Sequence, residues 1–339
     1  MTQLYPVTGL HSREVTAELI KSGKWLLLAG DEALLAALPP GNWIGGTIPY
    51  FMAAEGGLRT ADQVFVTELP GADGATIRSY DRSTLPRLAA DHPGHGFTVL
   101  LIPAFTAVHA EFAENVSNYS GVFDRPLVGW ISGVALEDIG QVKPRVFDGT
   151  TGTSSSDRAV ALHVTLAPHN IASVEIINLF APGSGDTITF TDSSTSGGAG
   201  FSVSQAQING KPANLAHYLT ERAIDTRLPL VADYNGAMIN VSIQKVDAAA
   251  GTVDFYAPVF SGTDYRIAAP VDDYVAGFAA QLRSDSPAPT FACNCILNYL
   301  YAELENRTTT PLTGPMTFGE IAYMLLNQTA VYLTISRDG

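Results

Sequence analysis

The chain has 339 residues, 46% of them hydrophobic and 15% charged, enough to bury a sizeable core as two domains or one large one. With 19 basic against 33 acidic side chains the net charge is −14. No Lys/Arg cluster occurs, which argues against a surface that tracks nucleic-acid phosphates and against binding to anionic membrane.

The opening MTQLYPVTGLHSREV has no basic segment followed by an apolar one, and no apolar run approaches the roughly 20 residues of a membrane helix. The expected location is a reducing cytoplasm, in keeping with the two cysteines, Cys293 and Cys295. Ser12 can cap a helix through about Ser22, followed by a buried strand at Trp25 to Gly30. Asp31 caps a second short helix that Pro39-Pro40 stops, and GNWIGGTIPYFM (Gly41 to Met52) reads as another buried strand. Gln63 to Leu69 and Ala75 to Tyr80 read as a hairpin around Pro70-Gly71, and STLPRLAADH as helical. A buried strand at Gly96 to Pro103, a helix from about Thr106 to Tyr119 and the strand in PLVGWISGVA complete the first half's regular elements. Strand, helix and strand therefore occur twice, a weak internal repeat of β-α-β units that implies right-handed crossovers in a mixed sheet.

Beyond Val146 the pattern changes. RAVALHVTL (Arg158 to Leu166) alternates like a half-buried strand, and two Gly/Ser/Thr-rich stretches, Asp148 to Asp157 and Asp192 to Gly200, read as loops. The second is the domain boundary, giving domains at 1–191 and 201–339. Asn209-Gly210 marks a hairpin turn, a helix spans about Ala213 to Ala223, and MINVSIQKV pairs with GTVDFYAPV around Ala249 to Gly251. Asp272 to Arg283 reads as an amphipathic helix with acids at its start. TFACNC leads into a helix from about Ile296 to Glu305, and GPMTFGEIAYMLLNQTAVYLTI closes the pattern. The fold class is α/β or α+β, in two packed halves, each a mixed β-sheet with flanking helices.

Few residues carry chemistry unaided. No G-x-S-x-G, P-loop, H-E-x-x-H or G-x-G-x-x-G is present. Cys293 lies where a strand enters a helix, so it reads either as a reactive or ligand-facing thiol or as a small buried hydrophobe. A Cys-x-Cys pair without further Cys or His nearby does not complete a metal site. Glu320 in MTFGEI reads as a helix start, a partner for a ligand amine, or a base. Asn327, Gln328 and Thr329 read as satisfied core polars or ligand hydrogen-bonders. His92-Pro-Gly-His95 reads as a solvated turn, and His163 alternates away from the apolar face of its strand. His109 follows a strand at the edge where open sheets place ligands, with a solvated helix surface as its plain alternative. The two glycine-thinned strands, each beside a Trp, either line one pocket with Trp43 and Trp130 as walls or make room for close packing.

In these residues the chain resembles the FIST sensor family, in order from about Trp25 to Ile335. NWIGGTIP and RPLVGWISGVALED are similar to segments of its N-terminal part, with Ile48-Pro49 where the family carries Gly-Glu. QINGKPANLAHYL, PTFACNCILNYLYAELEN and GPMTFGEIAYMLLNQTAVYLTI resemble its C-terminal part. Phe291 and Cys293 fit the family pattern, while Ile296 stands where it carries Arg, which implies a less acidic ligand or none at that spot. The resemblance implies a bacterial, cytoplasmic, non-catalytic sensor that binds an amino-acid-like metabolite between its two halves and signals through a separate protein. The implied site comprises Trp43, Gly45, Gly46, Thr47, Trp130, Ser132, Cys293, Asn294, Glu320 and Thr329. No cofactor is expected; the one sub-reading with a cofactor is a haem gas sensor, with His109 or Cys293 as axial ligand. The competing functions are a cysteine enzyme acting on a small amide or thioester, with Cys293 as nucleophile, and a purely structural module.

Overall fold

The structure, a computed structural model, describes residues 7–191, 199–234, 236–282 and 288–337. Most of the stretch read as a domain boundary, residues 192–198, lies outside the described residues, as does Arg283. The fold is mixed α/β. The chain divides into two compact units, one of Met1–Ile177, Ala279–Leu325 and Ala330–Gly339, the other of Asn178–Phe278 and Leu326–Thr329. These units interleave along the chain, whereas the sequence reading divides it once.

In the first unit, β1 (Gly9–His11) precedes α1 (Arg13–Lys21), and Ser12 caps that helix by accepting the Val15 N–H at 3.3 Å. β2 (Leu26–Gly30), α2 (Glu32–Ala36, capped by Asp31) and β3 (Trp43–Thr47) form the first expected β-α-β unit, with β2 and β3 parallel. The stretch read as one strand from Gly41 bends at Ile48-Pro49. A proline cannot donate to a ladder, and β4 (Tyr50–Ala53) continues in a different sheet, paired with β5 (Gly56–Arg59). The expected hairpin of β6 (Val64–Glu68) with β7 (Ala72–Tyr80) does not form. The chain turns at Pro70-Gly71, but β6 joins β1 and β2 while β7 joins another sheet.

STLPRLAADH forms a tight 3-10 segment at Leu85–Asp91 rather than an α-helix. The second β-α-β unit follows as β8 (Gly96–Pro103), α3 (Ala107–Asn115, capped by Thr106) and β9 (Leu127–Ser132), with β8 and β9 parallel. The loop from Asp148 to Asp157 is bounded by a small hairpin of β10 (Val146–Asp148) and β11 (Thr153–Ser155). β12 (Ala159–Leu166) lies between β7 and β8, and β13 (Asn170–Ile177) ends this part of the unit.

The second unit holds β14 (Ile188–Thr189), β15 (Ala199–Val203), β16 (Gln205–Ile208), β17 (Lys211–Asn214), α4 (Leu215–Glu221), β18 (Leu230–Tyr234), β19 (Ala237–Val241), β20 (Ile243–Asp247), β21 (Thr252–Phe260) and β22 (Asp264–Ile267). The Asn209-Gly210 turn closes the β16–β17 hairpin with both residues at positive φ, 50° and 76°. β20 and β21 pair as expected, but the first half of MINVSIQKV belongs to β19, which pairs with β18. The amphipathic helix is α5 (Tyr274–Gln281).

The chain then returns to the first unit. β23 (Phe291–Cys295), α6 (Ile296–Tyr301) and β24 (Gly314–Thr317) make a third β-α-β unit, again parallel, with a helix shorter than the sequence suggests. Glu320 begins no helix: it opens β25 (Glu320–Ala322), followed by β26 (Met324–Leu326) and β27 (Ala330–Arg337). Among the described residues four six-stranded sheets result, in the orders β1-β6-β2-β3-β10-β11, β26-β25-β9-β8-β12-β7, β13-β27-β23-β24-β4-β5 and β17-β16-β14-β22-β18-β19, with a three-stranded sheet β15-β21-β20. Leu26, Leu28, Trp43, Val64, Val66 and Phe147 pack with Ile20 of α1 and Leu35 of α2 into one apolar cluster on the first sheet.

Candidate functional site

Strand periodicity sorts the site residues by face. Trp130 and Ser132 share one face of β9. Glu320 is the direct antiparallel partner of Trp130, so its side chain stands on the same face. Trp130 is 1% exposed, and Ser132 and Glu320 are wholly buried. From β23 the Phe291 ring stacks on the Trp130 ring at 5.6 Å, and Cys293 donates its thiol to Gly129 O at 3.4 Å. From β24, the Thr317 hydroxyl lies within hydrogen-bond distance of Asn294 O, Gly319 O and Glu320 Oε1, at 3.3, 3.1 and 3.3 Å. It has a single proton to donate among them.

From the first sheet, Gly46 approaches the same place. A Cβ there would press into Ser132 Oγ and lie 2.9 Å from Trp130 Nε1. Trp130 Nε1 and Ser132 Oγ are both buried and have no hydrogen-bond partner among the described residues. Such groups are uncommon in folded proteins, because an unmade bond costs about 1–3 kcal/mol. Phe318 covers the next position: a Cβ on Gly133 would run into its ring, and Phe105 packs edge-on against it at 6.0 Å. Phe105 sits at φ 60°, a strained conformation for an aromatic residue, with its side chain half exposed.

The structure therefore brings Gly46, Trp130, Ser132, Cys293 and Glu320 together. Asn294 points to the opposite face of β23 from Cys293, where its Oδ1 accepts from Cys295 N and Asn298 Nδ2 at 2.7 and 2.9 Å. Trp43 does not join the group. Together with Gly45 and Thr47 it faces the other side of β3, donates Nε1 to Pro39 O at 3.1 Å and stacks on Phe147. Thr47 Oγ1 accepts from Arg145 N at 2.9 Å. Thr329 belongs to the second unit, where its neighbours are engaged: Asn240 Nδ2 donates to Asn327 O, and Ser242 Oγ donates to Gln328 Oε1. Thr317, Phe318 and Phe105 were not foreseen. Only the Phe-Gly step ahead of an apolar strand signals Phe318.

Burial, then the Glu320 carboxyl, then Cys295 push the Cys293 thiol well above its ordinary range. That is the opposite of what a nucleophilic or metal-binding thiol needs. The Cys295 and Cys293 side chains form no disulfide. His109 lies buried rather than on a solvated surface. Its Nδ1 accepts from Phe105 N at 3.3 Å, and burial lowers its pKa to about 4. Held protonated, the Cys293 thiol does not suit haem, whose iron takes a thiolate. A small cleft of about 170 Å³ adjoins Cys293 and Asn294, bounded by Met52, Leu312, Pro315 and Met316. Much of that space is open to solvent, and what is enclosed has room for no more than about one water molecule. Among the described residues no group of three or more His, Cys, Asp or Glu is placed to hold a metal, and no helix is long and apolar enough to cross a membrane.

Residues 11–336 match the model of a family of unknown function (DUF6976). No curated protein matches the chain.

Proposed function

The chain thus belongs to DUF6976, a family of unknown function, and from its geometry we propose that it is a non-catalytic binding protein for a small polar molecule. The molecule is taken up in the first unit against Trp130, Ser132 and Glu320. One observation carries this reading: two buried polar atoms, Trp130 Nε1 and Ser132 Oγ, converge on Gly46 without a protein partner. There is no room beside Gly46 even for a methyl group, so a ligand must displace that strand; one that offers an acceptor to the indole N–H and a donor or acceptor to the hydroxyl would then supply both missing bonds. The Glu320 carboxyl beside them favours an amine, in keeping with the amino-acid-like ligand that the FIST resemblance implies. The reading places the protein in the cytoplasm, with its two cysteines as thiols, and gives it a separate signalling partner. Cysteine chemistry gains nothing from this site, because Cys293 is both enclosed and held protonated.

The test is native mass spectrometry of the purified full chain, followed by thermal-shift measurements against the proteinogenic amino acids and their simple amines. A stoichiometric small adduct, or a shift that Ser132→Ala and Glu320→Gln abolish, supports binding. A clean ligand-free mass with no shift from any compound overturns it. For the cysteine alternative, iodoacetamide is expected to label neither thiol until the protein is unfolded.

A further inference from the structure

A second polar assembly in the first unit takes no part in that site. Five side chains from β7, β8, β12 and the 3-10 segment form one continuous chain of hydrogen bonds. Tyr80 Oη lies 2.8 Å from Asp91 Oδ2 and 2.8 Å from His163 Nε2. Thr98 Oγ1 lies 2.9 Å from His163 Nδ1 and 2.8 Å from His92 Nδ1. Tyr80, Thr98 and His163 are buried, and both imidazoles meet edge to face at 6.2 Å. Donor and acceptor counting leaves one arrangement with both histidines neutral and Asp91 a carboxylate. The phenol donates to Asp91, so Tyr80 accepts from His163 Nε2–H. His163 Nδ1 then accepts from the Thr98 hydroxyl, and Thr98 accepts from His92 Nδ1–H. Every donor points toward Asp91, and the far end is a bare lone pair on His92 Nε2, buried and without a partner among the described residues.

We infer that this chain is a proton-binding switch: one proton enters at His92 Nε2 and is stored on His163, inverting the His92 tautomer from Nδ1–H to Nε2–H. The step balances. His92 gains H at Nε2 and passes its Nδ1 proton to Thr98 Oγ1. Thr98 passes its own proton to His163 Nδ1. His163 becomes an imidazolium donating to both Tyr80 and Thr98, Thr98 now donates to His92 Nδ1, and His92 is neutral with Nε2–H. No hydrogen bond is lost, and the new charge sits two bonds from the Asp91 carboxylate.

The charged groups around the two rings bear on this. His163 is affected by Asp91 of the 3-10 segment and Arg78 of β7, and His92 by Asp91 and by Asp124 and Arg125 of the loop before β9. Burial, with His92 and Arg78 adding to it and Asp91 opposing, lowers the pKa of His163 to about 4. Burial and Arg125 lower that of His92, with Asp124 and Asp91 opposing, so burial and the nearby charges favour a proton on His92, and the hydrogen-bonded path through Tyr80 to Asp91 is what favours His163. Burial, with Asp91 adding, raises that of Tyr80, so its phenol keeps its proton throughout.

Long-range ¹H–¹⁵N spectra of the full chain labelled at histidine nitrogens read the tautomers directly. At pH 7, His163 is expected as the Nε2–H form and His92 as the Nδ1–H form. On acidification, His163 should reach the imidazolium pattern at the same midpoint at which His92 changes to Nε2–H. Thr98→Val should abolish the inversion of His92, and Tyr80→Phe should move the His163 midpoint to lower pH. A wild-type His163 carrying its proton on Nδ1 at pH 7, or a wild-type His92 that becomes imidazolium itself, overturns the switch. So does a folded Thr98→Val protein whose His92 still inverts in step with His163. The first two outcomes are read on the wild type and stand even where a variant fails to fold.

Discussion

β3 and β9 carry nearly the same sequence shape, a Trp beside glycines in a buried strand, and put it to different ends. Trp43 is satisfied: its indole donates to Pro39 O at 3.1 Å, and its ring lies in an apolar cluster with Phe147. Trp130 is as deeply buried, yet its Nε1 has no partner among the described residues, and its neighbours are Ser132, Glu320 and Cys293. Glycine makes room in both places, for the Trp43 ring at Gly149 and for Trp130 and Ser132 at Gly46. What separates them is the polarity of what fills the room. The same local pattern is a packing solution in one strand and a binding candidate in the other.

Truncating either indole should erase the contrast. Trp43→Ala and Trp130→Ala each remove a fully buried ring and are expected to cost about 3–5 kcal/mol in chemical denaturation. A wide gap between the two would mean that one ring is less tightly packed than it looks. Acid should separate the regions next. His109 on α3 and His163 on β12 both have folded pKa values near 4 against the ordinary 6.5. The unfolded chain therefore binds more protons between those limits, and stability is intact above pH 6.5 and falls as pH drops toward 4. Each histidine accounts for up to about 3 kcal/mol of that loss. Hydrogen exchange at pH 5 should show β8, β9 and β12 losing protection before β2 and β3, and His109→Leu should reduce the acid sensitivity. Equal loss in both regions would assign it elsewhere.

Smaller changes probe the glycines. Gly46→Ala and Gly149→Ala are each expected to cost about 1–3 kcal/mol by overpacking. Ser132→Ala should recover part of the loss at Gly46, because it removes the atom that the new methyl meets. The finest test replaces each Trp with Phe. Trp43→Phe breaks a made hydrogen bond and orphans Pro39 O, so it should cost about 1 kcal/mol more than Trp130→Phe, which removes a donor that had no protein partner. The reverse order, read from denaturation midpoints, would reveal a bonded water or ligand on Trp130.

Much of the fold is legible from periodicity and caps. Ser12, Asp31, Thr106 and the Asn209-Gly210 turn act locally, and both expected β-α-β repeats form because a helix between two apolar runs leaves few other solutions. What was not legible is non-local. Pro70-Gly71 turns the chain in the same way whether the flanking strands pair or diverge. The third β-α-β unit hides because α6 is short and a long segment separates it from β24. Glu320 read as a helix start because a carboxylate in a buried strand violates the usual alternation, and only its pairing with Trp130 places it. The same limit applies to the site. Cys293, Trp130, Ser132 and Glu320 come together, but side-chain alternation alone turns Trp43, Gly45 and Thr47 away from Gly46, and Asn294 away from Cys293. The histidines were legible as residues but not as a chain of hydrogen bonds, since His92 and His163 come from segments that the sheet alone makes neighbours.

β27 lies between β13 and β23 in its sheet, pairing with both. It is translated after both, so on the ribosome β13 waits without its partner from Ile177 until Ala330 emerges. At typical synthesis speeds that is roughly ten to thirty seconds. Throughout, the nascent chain presents a strand edge carrying Ile171, Val174 and Ile176, the kind of surface that seeds association between neighbouring chains. Synthesis of this protein therefore contains a vulnerable interval that chaperone capacity must cover, and slowing translation over the second unit would lengthen it.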